Sequence, residues 1–267
     1  MPPASPLVRR LLAANLGVFA LVLLGGFSGR GVQNPMVALL ELDSSAFLDS
    51  FPWHLPRLAT YGFLHEAPMH LAMNALGLYF FGTMVEGALG SRRFLWVYGG
   101  AILVGGLVFL VWSVAGHRVG ARLLGMSGGV YAVLIAGAVL FPDARVTLFV
   151  FPMKLRSLAI GAFALAAVYA VQRFQASGGA LGGVAEEVHL AGALWGWGAV
   201  RLPGRIEELR AGRRKESAKR ARRQRSEDRK EMDDLLAKVN RKGIGSLTRQ
   251  ERERLTRIGR QLQDRQD

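Results

Sequence analysis

The chain has 267 residues, 51% of them hydrophobic, with 33 glycines, no cysteine and a formal net charge of +14. The missing cysteines exclude a disulfide scaffold and a metal–thiolate site, and the hydrophobic half excludes a disordered chain. A mean hydropathy of +0.22 points to a membrane, whereas the charge alone points to nucleic acid. The distribution resolves the conflict. Residues 201–267 carry 22 of the 34 Lys+Arg and 12 of the 20 Asp+Glu, which is +10 of the +14. An apolar block is followed by a charged tail.

A bilayer core about 30 Å thick needs about 20 helical residues. Six stretches reach or approach that length: Leu11–Phe27, Pro68–Leu89, Phe94–Gly116, Leu124–Phe141, Leu155–Val171 and Val188–Val200, the last extended by Val184 and Ala185. Glycine is frequent in them, as membrane helices permit, because close backbone approach replaces the hydrophobic effect as the packing force. Arg9 and Arg10 before the first stretch also fit a cleavable signal peptide. The run is long for one, however, and Gly25–Arg30 is a poor cleavage site, so a retained span is expected. The loop Ser28–Leu64 has the proline and aromatic content of a segment partly sunk into the interface.

Six spans place both ends on one side, and the basic N-terminus and tail make that side cytoplasmic. The inner loops add weak support, with Arg92, Arg93, Arg145, Lys154 and Arg156 inside against Arg30, Arg57, Arg118, Arg122 and Arg173 outside. After Leu202-Pro203-Gly204 the apolar pattern stops. Arg205–Arg229 reads as a helical or loosely ordered basic segment, either a solvated linker or a stretch drawn to anionic lipid at about 1 kcal/mol per basic residue. Nucleic acid is not an expected partner, since the run lacks interleaved aromatics and is tethered to a membrane. Met232–Val239 then reads as a short helix, Gly243–Gly245 as a stop, and a new helix follows. Ser246 or Thr248 would cap it, Thr248 making a capping box with Glu251. The expected organisation is a six-span domain over 1–203, a juxtamembrane linker or helix over 204–230 and a small helical module over 231–267.

Polar residues inside the block are the informative ones, because each costs free energy unless it lines a cavity or has a partner. They are His65, Glu66, His70, Asn74, Glu86, Ser127, Tyr131 and His189. Ser127 lies in Gly125-Met126-Ser127-Gly128-Gly129 at the start of an apolar helix, and His189 opens the last one. A serine hydroxyl needs a base, and histidine suits because it is largely neutral near pH 7. A helix N-terminus adds unpaired N–H groups where an oxyanion would form, and the neighbouring glycines leave the approach open. Tyr131, one turn after Ser127, could support the imidazole. His70 and Asn74 are four apart and share a helix face, so both can donate to one oxygen. Read singly, these residues need be no more than helix packing and interhelical hydrogen bonding. Their co-occurrence favours a site. A zinc helix is not expected, because His65 and His70 are five apart with Pro68 between, whereas that motif needs four.

Together these residues resemble the rhomboid intramembrane serine proteases over about Arg57–Val200. The family's His-x-x-x-x-His-x-x-x-Asn, then Gly-x-x-x-Glu-x-x-x-Gly, stands here as His65, His70 and Asn74, then Gly82, Glu86 and Gly90. Its Gly-x-Ser-Gly with a tyrosine four residues on is Gly125, Ser127, Gly128 and Tyr131, and its last helix carries His189, Gly192 and Gly196. One departure is Pro56 before Arg57, where relatives carry tryptophan; Trp53 stands three residues earlier.

The resemblance implies an all-α, six-helix bundle in the membrane and a catalytic dyad. Ser127 would attack the scissile carbonyl and His189 would carry the proton. His70, Asn74 and the Ser127 N–H would form the oxyanion hole, and Tyr131 would stack on His189. Gly192 and Gly196 would bring the last helix onto the serine helix. His65 would be structural or water-organising, and Glu86 would fix the end of its helix. No cofactor is implied. The implied partners are single-span or multi-span membrane-protein substrates and lipids, and the implied location is a cell membrane, the bacterial inner membrane, with both termini cytoplasmic. The tail resembles a small module on some bacterial rhomboids. The rival reading is an inactive rhomboid-like protein that binds membrane clients, although such relatives lack the serine or the histidine. A transporter would show internal repeats, and the halves show no self-similarity.

Overall fold

Each of the six apolar stretches is helical over most of its described residues in the computed structural model, which describes residues 4–25, 34–115, 121–148, 151–176 and 186–263; Gly26, Phe27, Gly116, Val184 and Ala185 lie outside the described residues. The chain divides into two units, Met1–Pro203 and Gly204–Asp267.

In the first unit, α1 (Pro6–Leu24) begins with a proline, which suits the first turn because the N–H it lacks would be unpaired there. The long loop that follows carries α2 (Pro35–Leu40), β1 (Leu42–Asp43), α3 (Ser44–Asp49), α4 (Arg57–Thr60) and a 3-10 turn (Tyr61–Phe63). The Asn34 side chain accepts from the Met36 N–H at the start of α2, and Asp43 accepts from the N–H groups of Ser45 and Ala46 at the start of α3. The second span is α5 (Pro68–Gly77), a π-helical turn (Leu78–Gly82) and α6 (Thr83–Leu89). It ends where Gly90 adopts φ +77°, a left-handed conformation that suits glycine. Next come α7 (Ser91–Ala115), β2 (Arg122–Leu123), α8 (Ser127–Leu140), a β3–β4 ribbon (Arg145–Leu148 with Phe151–Lys154), α9 (Leu155–Ala176) and α10 (Glu186–Lys242).

The fold is polytopic and helical. α1, α7 and Leu155–Gln172 of α9 are long and apolar enough to cross a membrane, whereas α8 is shorter. α8 is central: Gly128, Gly129, Ala132, Val133, Leu134, Ala136 and Gly137 are all buried, and it packs on α7, α9 and the π-helical turn. A helix that is apolar all round belongs inside. α1 and α9 turn apolar side chains outward, with Leu24 85% and Ile160 68% exposed, as a lipid-facing surface requires. Strands β1 and β2 pair antiparallel with Leu42 opposite Leu123. Neither short ribbon follows from the sequence, because segments of two to four residues carry no readable period.

Glu86, buried on α6, accepts from the backbone N–H groups of Leu7 (3.1 Å) and Val8 (3.0 Å) and from the hydroxyls of Ser91 (2.6 Å) and Ser5. Its carboxylate caps the N-terminus of α1, where negative charge is favoured. The side chain expected to fix its own helix therefore fixes two.

The second unit begins at Gly204, where the apolar pattern stops. Of the two readings open for Arg205–Arg229 the helical one is found: α10 runs to Lys242, because residues 205–242 are rich in Arg, Lys, Glu, Ala and Leu, all strong helix formers. The short helix expected at Met232–Val239 is its end. Gly243, at φ +76°, donates its N–H to the Val239 carbonyl at 2.8 Å and terminates it. A 3-10 turn (Ile244–Ser246) leads to α11 (Arg249–Gln263). Thr248 and Glu251 form the capping box: Thr248 N–H donates to Glu251 Oε2 at 2.8 Å and Glu251 N–H donates to Thr248 Oγ1 at 3.3 Å. Ion pairs Lys238–Glu251 and Arg254–Glu231, each 2.7 Å, set α11 antiparallel to the end of α10 over buried Leu235, Leu247 and Ile258.

Candidate active site

Ser127 is the first residue of α8, so its N–H has no acceptor within the helix. The approach is built by Gly125, whose φ of +108° is strained for any other residue type. Its N–H donates to the Tyr61 carbonyl at 3.0 Å, and Tyr61, fully buried, donates its hydroxyl to the Ile102 carbonyl of α7 at 2.7 Å. The β1–β2 pairing and a Ser44 N–H to Ala121 carbonyl bond of 3.0 Å hold the same segment from the other side. The long loop thus positions the serine.

His189 lies in the first turn of α10, 62 residues away in sequence, yet its Nε2 stands 2.7 Å from Ser127 Oγ. Its Nδ1 faces Glu186 Oε2 at 3.1 Å. With Nδ1–H donating to that carboxylate, Nε2 carries the lone pair and accepts from the serine hydroxyl. The Tyr131 ring stacks on the imidazole with centroids 4.6 Å apart and planes 12° from parallel. Glycines permit this approach. A Cβ on Gly192 would stand 2.2 Å from the Gly128 carbonyl oxygen, and one on Gly196 would stand 2.2 Å from that of Ala132. The start of α10 therefore lies backbone against backbone on α8, and no side chain fits between.

On α5, His70 occupies the first turn with its ring against Gly125, where an added Cβ would come within 2.9 Å of Cε1 and 3.1 Å of Nε2. Asn74 follows one turn later, and its Nδ2 is buried without an acceptor among the described residues. An unsatisfied buried donor costs about 1–3 kcal/mol, so a group held this way is a candidate for bonding something that arrives. Buried His65 meets His70 edge-on, with centroids 5.0 Å apart. The start of α4, with Pro56 before it, packs on α7.

Of the residues singled out from the sequence, His70, Asn74, Ser127, Gly128, Tyr131, His189 and Gly192 lie in the first two turns of α5, α8 or α10, with Gly196 one turn further on, while His65, Glu66 and Gly125 stand just before α5 and α8. Gly82, Glu86 and Gly90 lie apart, along and after α6. Glu186 was not singled out. The signal was there, because an acid three residues before a histidine on a helix shares its face.

The family model for the Rhomboid domain matches residues 52–204, more than half of the chain. The chain belongs to the rhomboid family. A second model, a family of unknown function (DUF6576), matches residues 219–261. This rhomboid is 38% identical over 93 residues to "Rhomboid protein 1, mitochondrial" of Saccharomyces cerevisiae, covering 34% of this chain and 27% of that protein. It is 32% identical over 146 residues to "Presenilin-associated rhomboid-like protein, mitochondrial" of Homo sapiens, covering 55% and 36%. It is 29% identical over 154 residues to "Rhomboid-like protein 16, chloroplastic" of Arabidopsis thaliana, covering 52% and 45%. The chain spans less than half the length of these curated relatives. It is a membrane protein with an intramembrane protease or rhomboid-like function.

Proposed function

We propose that this rhomboid is an intramembrane serine endopeptidase that cleaves transmembrane segments of single-span or multi-span membrane proteins near the outer face. One observation carries the reading: the 2.7 Å contact between Ser127 Oγ and His189 Nε2, on an imidazole held by a stacked tyrosine. Hydrogen-bond contact of nucleophile and base is what acyl transfer by a serine requires.

His189 Nε2 takes the hydroxyl proton as Ser127 Oγ bonds to the scissile carbonyl carbon. The oxygen of the tetrahedral intermediate sits at the N-terminus of α8, where the Ser127 N–H, Asn74 Nδ2 and the His70 ring are its donors. His189 then gives the proton to the leaving amine. Water then gives a proton to His189 as its oxygen bonds to the acyl carbon, and His189 returns that proton to Ser127 Oγ as the acyl–oxygen bond breaks, which releases the acid and restores the dyad. Peptide hydrolysis in a bilayer needs a water-accessible polar cavity, and the starts of α5, α8 and α10 supply its polar side chains. A substrate helix must unwind locally to expose a carbonyl, which favours segments with small or helix-weakening residues.

The basic N-terminus and tail support a topology with both termini in the cytoplasm and the starts of α5, α8 and α10 at the outer face, and the membrane proposed is a bacterial inner membrane. Anionic lipid is the partner proposed for the basic stretch of the tail. The test uses purified full-length protein in liposomes with a single-span substrate. Ser127→Ala and His189→Ala are expected to lower cleavage to background, a loss of at least about 10³-fold, and a fluorophosphonate is expected to label Ser127. Normal cleavage by Ser127→Ala overturns the mechanism. Substrate binding without cleavage or labelling indicates a client-binding rhomboid-like protein instead.

A further inference from the structure

We infer that Glu186 completes the dyad: its carboxylate accepts the Nδ1–H of His189 and so fixes the imidazole as the tautomer that can deprotonate Ser127. The inference rests on the protease reading above. The imidazole bridges the other two groups, with Glu186 Oε2 3.1 Å from Nδ1 and Ser127 Oγ 2.7 Å from Nε2. An imidazole has two nitrogens and, when neutral, one proton. Whichever nitrogen donates elsewhere leaves the other free to act as the base. Without an acceptor at Nδ1, the ring could equally carry its proton on Nε2, where it would face the serine proton and do no work.

The side chains flanking the imidazole leave Glu186 as the acceptor for Nδ1–H. Tyr131 on α8 meets the ring face to face and so restrains its plane, not its tautomer. Ser127 occupies Nε2. His70, near enough on α5 to interact electrostatically with His189, is held against Gly125, and Glu66 interacts with His70. Glu186 and His189 are both mostly buried, their side chains 15% and 18% exposed, so the contact is not washed out by solvent. The carboxylate also stabilises the imidazolium formed when Nε2 takes the serine proton. No proton passes to Glu186. It acts through His189 and is a positioning residue.

A carboxylate in the first turn of a helix is also what the helix dipole favours, and a purely structural role would be read as a loss of stability. The experiment separates the two in full-length protein reconstituted in liposomes. Glu186→Ala and Glu186→Gln are expected to lower kcat about tenfold to a hundredfold, less than the ~10⁴ seen when a deeply buried triad carboxylate becomes an amide, because Tyr131 still holds the ring. KM and Tm are expected to stay unchanged. Fluorophosphonate labelling of Ser127 should slow in parallel with kcat, and Glu186→Asp, which keeps the charge, should retain more activity than Glu186→Ala. A kcat within about twofold of the unmodified protein in both Ala and Gln variants overturns the inference, as does a fall in kcat matched by a fall in Tm. If the unmodified protein shows no Ser127-dependent cleavage or labelling, the protease reading fails and this inference with it. Active unmodified protein with indifferent Glu186 variants leaves the dyad standing and removes only Glu186.

Discussion

Around Ser127 the polar side chains are few and largely buried, and Asn74 Nδ2 and both ring nitrogens of His65 have no hydrogen-bond partner among the described residues. Between Glu231 and Arg254 they are many and mostly exposed or half-buried among the described residues, and Lys238 pairs with Glu251 and Arg254 with Glu231. The contrast follows from the two surroundings. In a bilayer, lipid offers no hydrophobic drive between helices, so the first unit is held by backbone approach at glycine and by polar groups used sparingly. In water, the hairpin of α10 and α11 needs only a small apolar seam of Leu235, Leu247 and Ile258, with capping and ion pairs to set its register. Beside Ser127 the unspent donor of Asn74 is open to an arriving group, whereas in the hairpin the paired charges set register.

The sharpest way to break the first unit is at its tightest contact. Gly192→Ala would place a methyl 2.2 Å from the Gly128 carbonyl oxygen, so α10 must move away from α8. A shift of about 1 Å between nucleophile and base costs on the order of 10²-fold in rate, and overpacking costs about 1–3 kcal/mol in stability. Cleavage assays and thermal unfolding in the same preparation check both. Asn74→Ala tests whether the unpartnered donor serves the reaction. A lost oxyanion donor costs about 10²–10³-fold in kcat, with stability unchanged or improved because a buried unsatisfied group is removed. A fall in stability with kcat intact would assign Asn74 to the packing instead.

The smallest effect is expected in the hairpin and leaves cleavage untouched. The bond from Lys238, followed by the Thr248 N–H, holds the Glu251 carboxyl down to about 2 from its ordinary 4.5. A carboxylate lowered on folding adds stability that is present in full above its unfolded value and is lost as the pH falls towards its folded one. The hairpin should therefore loosen between about pH 4.5 and 2. Methyl signals of Leu235 and Ile258 would report it, and Thr248→Ala, which removes one of the bonds that lower the folded value, should raise the pH at which the loss is complete. Signals unchanged down to pH 2 in both forms would show that the apolar seam alone holds the hairpin.

Much of this was legible in the sequence because it is local. A span announces itself by composition, and all six stretches are helical over most of their described residues. The capping box at Thr248 and Glu251 depends on residues three apart, and it formed as read. What a short window could not decide was whether Arg205–Arg229 is a loose linker or a helix, and the structure has it helical within α10, with Met232–Val239 as the end of that helix and not a separate one. The two short ribbons had no local period to betray them.

Membrane character, helical segments and the residue types needed for serine chemistry were determined by the sequence itself, since each is a property of a residue and its near neighbours. Tertiary structure alone decided that Ser127 Oγ meets a nitrogen of a histidine 62 residues on, that Glu186 takes the other nitrogen, and that Glu86 caps a helix about 80 residues before it. Such contacts depend on how closely helices pass. That distance is set by whole faces of small residues such as Gly128, Gly192 and Gly196 acting together, which no local window contains.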